Sequence, residues 1–253
     1  MRIADVACGT GIWLLDITDT VSGIEADGLD VDLNNVPPKG WLGDNVSFRK
    51  LNILEDLTDE YMGRYDVINV QFASSFVRDP HIKILMSNLI QMLSASLAPL
   101  SRIPHTDTTF LSSAEPGGYL QITDAISAGW SWITASGDRK PPEVVKFYSL
   151  IGDIFGGFGQ WHWLENIEET FKDAGLEHVI RRRPKAKVST LQSNMMNILL
   201  AQIEAGEMIA KHPKLSARAA EQREQREKAA KEARELGTGM DLALVRCCGR
   251  KAA

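Results

Sequence analysis

The chain is poor in cysteine, with three among 253 residues: Cys8, Cys247 and Cys248. There is no C-x-x-C spacing and no even framework, which excludes a disulfide scaffold and fits a reducing, cytoplasmic compartment. Long apolar runs are missing too. No segment approaches the roughly 18 residues of a membrane-spanning helix, so no membrane partner is expected. No secretory leader precedes Asp5. Basic charge is also lacking: 28 Lys and Arg against 33 Asp and Glu leave a net charge of −5. No positive field therefore argues for nucleic acid. The one basic cluster, Arg181-Arg182-Arg183-Pro184-Lys185, reads as a solvated strand end. Nothing has the pattern of a nucleophilic triad or a set of metal ligands, so no metal is expected.

What is present has globular averages, 44% hydrophobic and 24% charged residues, and supports one substantial core in a single domain over 1–253. The most informative stretch is Asp5-Val6-Ala7-Cys8-Gly9-Thr10-Gly11. An apolar run, Ile3 to Ala7, reads as a buried parallel strand. A glycine-rich turn follows, and Ile12 to Ile17 opens a helix. Glycines let backbone approach a ligand, and the free N–H groups of a helix start favour negative charge. A dinucleotide fingerprint needs a third glycine, where this chain has Leu14. A phosphate-binding G-K-[ST] triplet is absent as well.

At these residues the chain resembles the class I S-adenosylmethionine-dependent methyltransferases, whose first motif is close to (D/E)-x-G-x-G-x-G. Asp5, Gly9 and Gly11 match, and Ala7 stands where the first glycine belongs. Within that superfamily DVACGTGIWLLDI is similar to fungal secondary-metabolism enzymes. The resemblance implies S-adenosyl-L-methionine as cofactor, held at Asp5, Ala7, Gly9 and Gly11. Glu25 to Leu33 reads as a short second strand ending in acids. Asp30 matches the family's ribose-binding acid; Asp32, one pleat period on, is the alternative. Asp27, Asn34 and Asn35 read as turn chemistry. A third strand over Val46 to Leu54 places Asn52 and Ile53 at the family's adenine-binding positions, with Glu55-Asp56 at a helix start. An Asn still offers an acceptor oxygen. A fourth strand, Tyr65 to Gln71, ends at Gln71 near the cofactor's methionine end. A fifth, Gly117 to Asp124, is similar to the family's P-G-G-(Y/T)-L strand.

Alternating strands and helical patterns imply a Rossmann-like sheet, mostly parallel with helices on both faces. Helices are expected over Pro80–Ser96, Pro141–Phe155, Leu164–Ala174 and Thr190–Ala210. Leu176–Arg183 is a sixth strand, and Met240–Cys247 closes as a last, antiparallel strand at the sheet's end. Residues 184–239 exceed what the core fold requires and read as a helical lid insertion. Within them the charged run Ser216–Leu236 reads as an exposed helix with an alanine stripe on the body. Glu224/Lys228 and Glu227/Lys231 are favourable i,i+4 pairs. Residues 98–114 read as a loop insert, either a lid or translated non-coding sequence. The chain opens directly on its first strand, where family members carry cap helices, so reduced activity is expected of it.

For catalysis, Gly159-Gln160-Trp161-His162-Trp163 is the suggestive segment. Two tryptophans could wall an apolar acceptor and His162 could take its proton. The competing reading is a helix-entry loop with buried aromatics and a satisfied histidine. The function expected is methyl transfer to a small-molecule acceptor, with oxygen ahead of nitrogen on family habit. The alternative is a methyltransferase-like regulatory protein without activity.

Overall fold

A computed structural model of the chain describes residues 1–95, 117–126, 130–137, 141–154 and 161–252. The 98–114 insert, Gly159 and Gln160 lie outside these residues. In chain order the elements are β1 (Arg2–Val6), α1 (Ile12–Thr20), β2 (Glu25–Asp30), β3 (Val46–Lys50), β4 (Val67–Gln71), α2 (Ile82–Met92), β5 (Tyr119–Ala125), β6 (Ser131–Ile133), α3 (Pro142–Ile154), α4 (His162–Glu165), α5 (Ile167–Asp173), β7 (Leu176–Arg182), α6 (Val188–Lys211), α7 (Ala219–Glu235), β8 (Gly239–Asp241) and β9 (Leu244–Lys251). They fall into two compact units. One holds Met1–Asp124, Trp161–Arg182 and Val245–Ala253; the other holds Ala125–Gln160 and Arg183–Leu244.

The first unit is built on a seven-stranded sheet of order β3-β2-β1-β4-β5-β9-β7. Strands β1 to β5 run parallel. Their apolar runs are near-continuous because a parallel sheet is covered on both faces. Leu14, Leu29, Ile68, Leu85, Leu89, Met92, Leu120 and Ile122 are fully buried, each stabilising by roughly 1.5–3 kcal/mol. The sequence order reverses between β1 and β4, which opens a crevice at the carboxyl ends of the parallel strands.

The second unit packs α3 against α7 and α6 around Val144, Phe147, Tyr148, Met195, Leu199, Ala229, Ala233 and Met240. Small side chains at 229 and 233 let α7 approach α3 closely. The Glu232 carboxylate accepts the backbone N–H of Glu143 at 2.8 Å and of Val144 at 3.0 Å. It thereby satisfies two donors that the first turn of a helix leaves open. The Tyr148 ring meets those of Trp130 at 5.7 Å and Trp132 at 5.5 Å.

Several local expectations differ from the structure. Asp27 is no turn residue: it is buried inside β2, accepting from Ser47, Arg64 and the Tyr65 hydroxyl. Glu55 and Asp56 start no helix. Asn52 instead folds the chain locally, accepting from Leu54 N–H and donating to Glu55, an Asx turn. Lys231 pairs with Glu235 rather than Glu227, whereas Glu224 and Lys228 pair at 2.6 Å. The last strand is antiparallel to β7 but lies one place in from the edge, which β7 occupies. Its expected start at Met240 belongs to β8, which pairs with β6.

Candidate functional site

The turn after β1 sits at the crevice, and its backbone is left-handed at three alternate residues: Ala7 at φ 56°, Gly9 at 55° and Gly11 at 73°. For Gly9 and Gly11 this is easy backbone. For Ala7 it costs about 1–2 kcal/mol, because Cβ crowds the following carbonyl. A Cβ at Gly9 would meet nothing within 4 Å, so the loop is open on that side. Gly11 closes against protein instead. Its Cβ position lies 2.5 Å from the Phe48 ring, and that of Gly28 lies 2.3 Å from the same ring. Phe48 pairs with Gly28 across β2–β3, so two glycines on different elements admit one aromatic ring beneath the turn.

Asp30, the last residue of β2, binds the turn directly. One oxygen accepts the Gly9 N–H at 2.8 Å and the other the Asp32 N–H at 3.1 Å. Each oxygen keeps a further lone pair for a ligand hydroxyl. Asp32 lies beyond the strand and accepts the Asn34 N–H at 3.0 Å, a turn role. Leu51 N–H donates to the Asp30 carbonyl, which brings the β3 end, with Asn52 and the buried Ile53, beside the β2 end. Asp5, Ala7, Gly9, Gly11, Asp30, Asn52 and Ile53 thus gather on the β1-β2-β3 side of the crevice. Gln71 ends β4 on the other side, where Phe72 turns left-handed at φ 54° and donates its N–H to Thr123.

Asp5 is buried at 3% exposure. Its carboxylate accepts from Asn69 Nδ2 at 2.8 Å, and Asn69 Oδ1 accepts from Gln121 Nε2 at 2.9 Å. Burial pushes the Asp5 carboxyl up to about 7; the Asn69 donor opposes the rise and the nearby Asp30 charge adds to it. Burial and those two carboxylates push the Cys8 thiol up to about 12, which leaves it inert as a nucleophile.

The β4-β5 side carries a second cluster. The Asp124 carboxylate accepts the Ser74 N–H at 2.8 Å and its hydroxyl at 2.7 Å. The Ser74 carbonyl in turn accepts Arg78 Nη1 at 2.7 Å and Trp161 Nε1 at 3.0 Å. The Arg78 guanidinium stacks on the Trp161 ring, 4.7 Å from its centre. His162 follows at the start of α4. Its Nδ1 lies 2.9 Å from Asp79 Oδ2, while Asp79 Oδ1 accepts the Trp163 N–H at 3.1 Å. The Asp79 hydrogen bond and charge raise the His162 pKa. Partial burial pushes Asp79 up, but the His162 and Trp163 donors outweigh it and the net shift is down. The histidine therefore has a fixed partner that local sequence does not reveal, 83 residues away. Asp79, Arg78, Ser74 and Asp124 carry no motif of their own.

Among the described residues no three His, Cys, Asp or Glu side chains come together as a metal site. None of their helices is long and apolar enough to cross a membrane.

No family model matches the chain. A curated relative, methyltransferase grgD of a Penicillium species, is 27% identical over 155 residues, covering 58% of this chain and 46% of that one. Among solved structures, phosphoethanolamine N-methyltransferase 2 of Haemonchus contortus, in complex with phosphomonomethylethanolamine and S-adenosylhomocysteine, aligns over 100% of this chain and 49% of its own, with a TM-score of 0.50 and 15% identity. A putative sarcosine dimethylglycine methyltransferase of Galdieria sulphuraria aligns over 99% of this chain and 78% of its own, at a TM-score of 0.49 and 16% identity. The chain spans about half the length of the first two. The strand order, the glycine turn after β1 and the likeness to the Haemonchus structure agree: the chain has the fold of the class I S-adenosylmethionine-dependent methyltransferases and resembles a fungal methyltransferase in sequence.

Proposed function

We propose that this chain transfers a methyl group from S-adenosylmethionine to an oxygen of a small-molecule acceptor of secondary metabolism, in the cytoplasm. The observation that carries the cofactor assignment is Asp30. It stands at the end of β2, bonded to the open glycine turn, with acceptor capacity left on both oxygens. A carboxylate so placed suits the two hydroxyls of an adenosyl ribose. Asn52 and Ile53 stand beside it for the base.

Asp30 and the glycine turn would hold S-adenosylmethionine, which would supply a sulfonium methyl group to the acceptor oxygen, with the neutral thioether S-adenosylhomocysteine as leaving group. The acceptor hydroxyl must lose its proton. With Nδ1–H donating to Asp79, His162 offers the Nε2 lone pair for that proton, and the imidazolium is stabilised by the carboxylate. His162 is largely exposed, so the proton then passes to water.

A second reading, a methyltransferase-like regulatory protein without activity, is favoured by one observation. Ala7 holds a left-handed backbone where a glycine would be unstrained. Calorimetry separates cofactor binding from its absence: S-adenosylhomocysteine should bind and NAD should not. Asp30→Ala should weaken binding by on the order of 1.5–3 kcal/mol. Release of S-adenosylhomocysteine from labelled cofactor with an acceptor extract then tests transfer. Cofactor binding without release would favour the regulatory reading.

A further inference from the structure

Arg78 is a half-buried cation for which no described carboxylate acts as partner. The adjoining Asp79 and the β5 residue Asp124, which shares Ser74 with Arg78, are both engaged elsewhere. Asp79 binds His162 and the Trp163 N–H, and Asp124 binds Ser74. The guanidinium is nonetheless held firmly. Trp161 lies against its face, Nη1 donates to the Ser74 carbonyl at 2.7 Å and, more weakly, to that of Val77 at 3.4 Å. These contacts use one face and one nitrogen. The edge formed by Nε and Nη2 makes no bond with any described residue. That edge is a fork with the geometry of a carboxylate. A guanidinium never loses its charge at accessible pH, and a fixed, partly desolvated one attracts a planar anion more strongly than a flexible surface arginine does.

We propose that Arg78 is the specificity-determining residue for the acceptor, which carries a carboxylate that docks edge-on against Nε and Nη2. This rests on the methyl-transfer reading and names its substrate class. Arg78 is one residue from Asp79, and Trp161 is one residue from His162. An acid anchored at Arg78 is thereby kept near the imidazole, and a hydroxyl elsewhere on the same molecule is the group that gives up its proton. The carboxylate itself reacts with nothing; it orients.

The probes are benzoate and its neutral isostere benzamide, titrated into the full chain. Binding is followed by the indole N–H resonance of Trp161, assigned with Trp161→Phe. Benzoate should shift that signal saturably and bind at least about tenfold more tightly than benzamide, a difference set by one charge-assisted fork. Arg78→Gln should abolish the preference. Arg78→Lys keeps the charge without the fork and should lose most of it; this variant decides the matter should Arg78→Gln fail to fold. No saturable shift with benzoate, equal binding of the two probes, or a full preference surviving in either variant would overturn the assignment. S-adenosylhomocysteine is titrated into the same samples. Its binding with no benzoate site sinks only the present inference, whereas a benzoate site without S-adenosylhomocysteine binding sinks the methyl-transfer reading and leaves the anion site standing.

Discussion

His162 Nδ1 and Asp79 Oδ2 stand 2.9 Å apart, although 83 residues separate them. The carboxylate favours the charged imidazole, so the His162 pKa lies above its ordinary 6.5. Only the neutral ring accepts a proton. Methyl transfer should therefore rise with pH through that elevated value and level off above it. Asp79→Asn removes the charge and should move the rising limb to lower pH while lowering the plateau. His162→Asn should cost roughly 100- to 10,000-fold in turnover with cofactor affinity unchanged. A profile flat across the limb in the parent chain would remove His162 from the chemistry. The same shift favours the folded state below the unfolded pKa and is lost as pH rises through the folded one; at so exposed a group solvent screening keeps it small.

Ala7→Gly should stabilise the protein. The left-handed backbone at φ 56° penalises the alanine Cβ by about 1–2 kcal/mol, while glycine's greater freedom in the unfolded chain returns about 0.4–1 kcal/mol of that. A net gain of about 0.5–1 kcal/mol raises the melting temperature by about 1–4 °C. A lower melting temperature for Ala7→Gly in a thermal scan would mean that position 7 is not left-handed.

Gly28→Ala should destabilise, because its Cβ would lie 2.3 Å from the Phe48 ring. Overpacking of this kind costs about 1–3 kcal/mol. Phe48→Ala vacates the same space, so the double variant should be more stable than the two single losses predict. Urea unfolding of all four proteins measures the coupling; additivity within about 0.5 kcal/mol would contradict it.

Asp5→Asn tests the buried carboxyl. With a folded pKa of about 7 against an ordinary 3.8, the folded state holds the proton more tightly. The sign follows: stability is greatest below the unfolded value and is lost as pH rises from about 4 to about 7. The cost of ionising Asp5 above that window is on the order of 3–4 kcal/mol. Asparagine does not ionise, so the stability of Asp5→Asn relative to the parent should climb by that order between pH 4 and pH 8. A constant difference across the range would show that Asp5 ionises freely.

The strand–turn–helix from Ile3 to Ile17 was legible in the sequence because every determinant is local: an apolar run, glycines, and an apolar helix face within fifteen residues. Asp30 was legible through its place in the Gly28-Leu29-Asp30 frame that the family resemblance supplies, at the end of a short strand. Asp27 has the same local look, an acid beside a glycine. What buries it are Tyr65, Arg64 and Ser47, which arrive from other strands, and no window around residue 27 contains them. Glu55 and Asp56 have helix-start composition, but Asn52 competes for the backbone with its own side chain. The i,i+4 rule names Glu227 and Glu235 equally as neighbours of Lys231, and in the structure Glu227 lies beside Arg226 instead. His162 stood out by its tryptophan neighbours. Its partner and the stacked Arg78 became visible only when the β4 loop and the α4 entry were seen to meet.

The double cap on α3 has a consequence for synthesis. Glu232 is 89 residues downstream of Glu143. At ribosomal speeds of about 5–20 residues per second, roughly 4–18 s pass after α3 is made before its capping carboxylate exists. During that interval Val144 and Phe147, later fully buried, have neither α7 nor its alanines to cover them. The nascent second unit is thus at its most vulnerable to aggregation and to chaperone capture just before the highly charged α7 emerges. A cell-free translation stalled at residue 215 should yield a chain that binds a general chaperone, and the full-length chain, released with α7, β8 and β9 in place, should not.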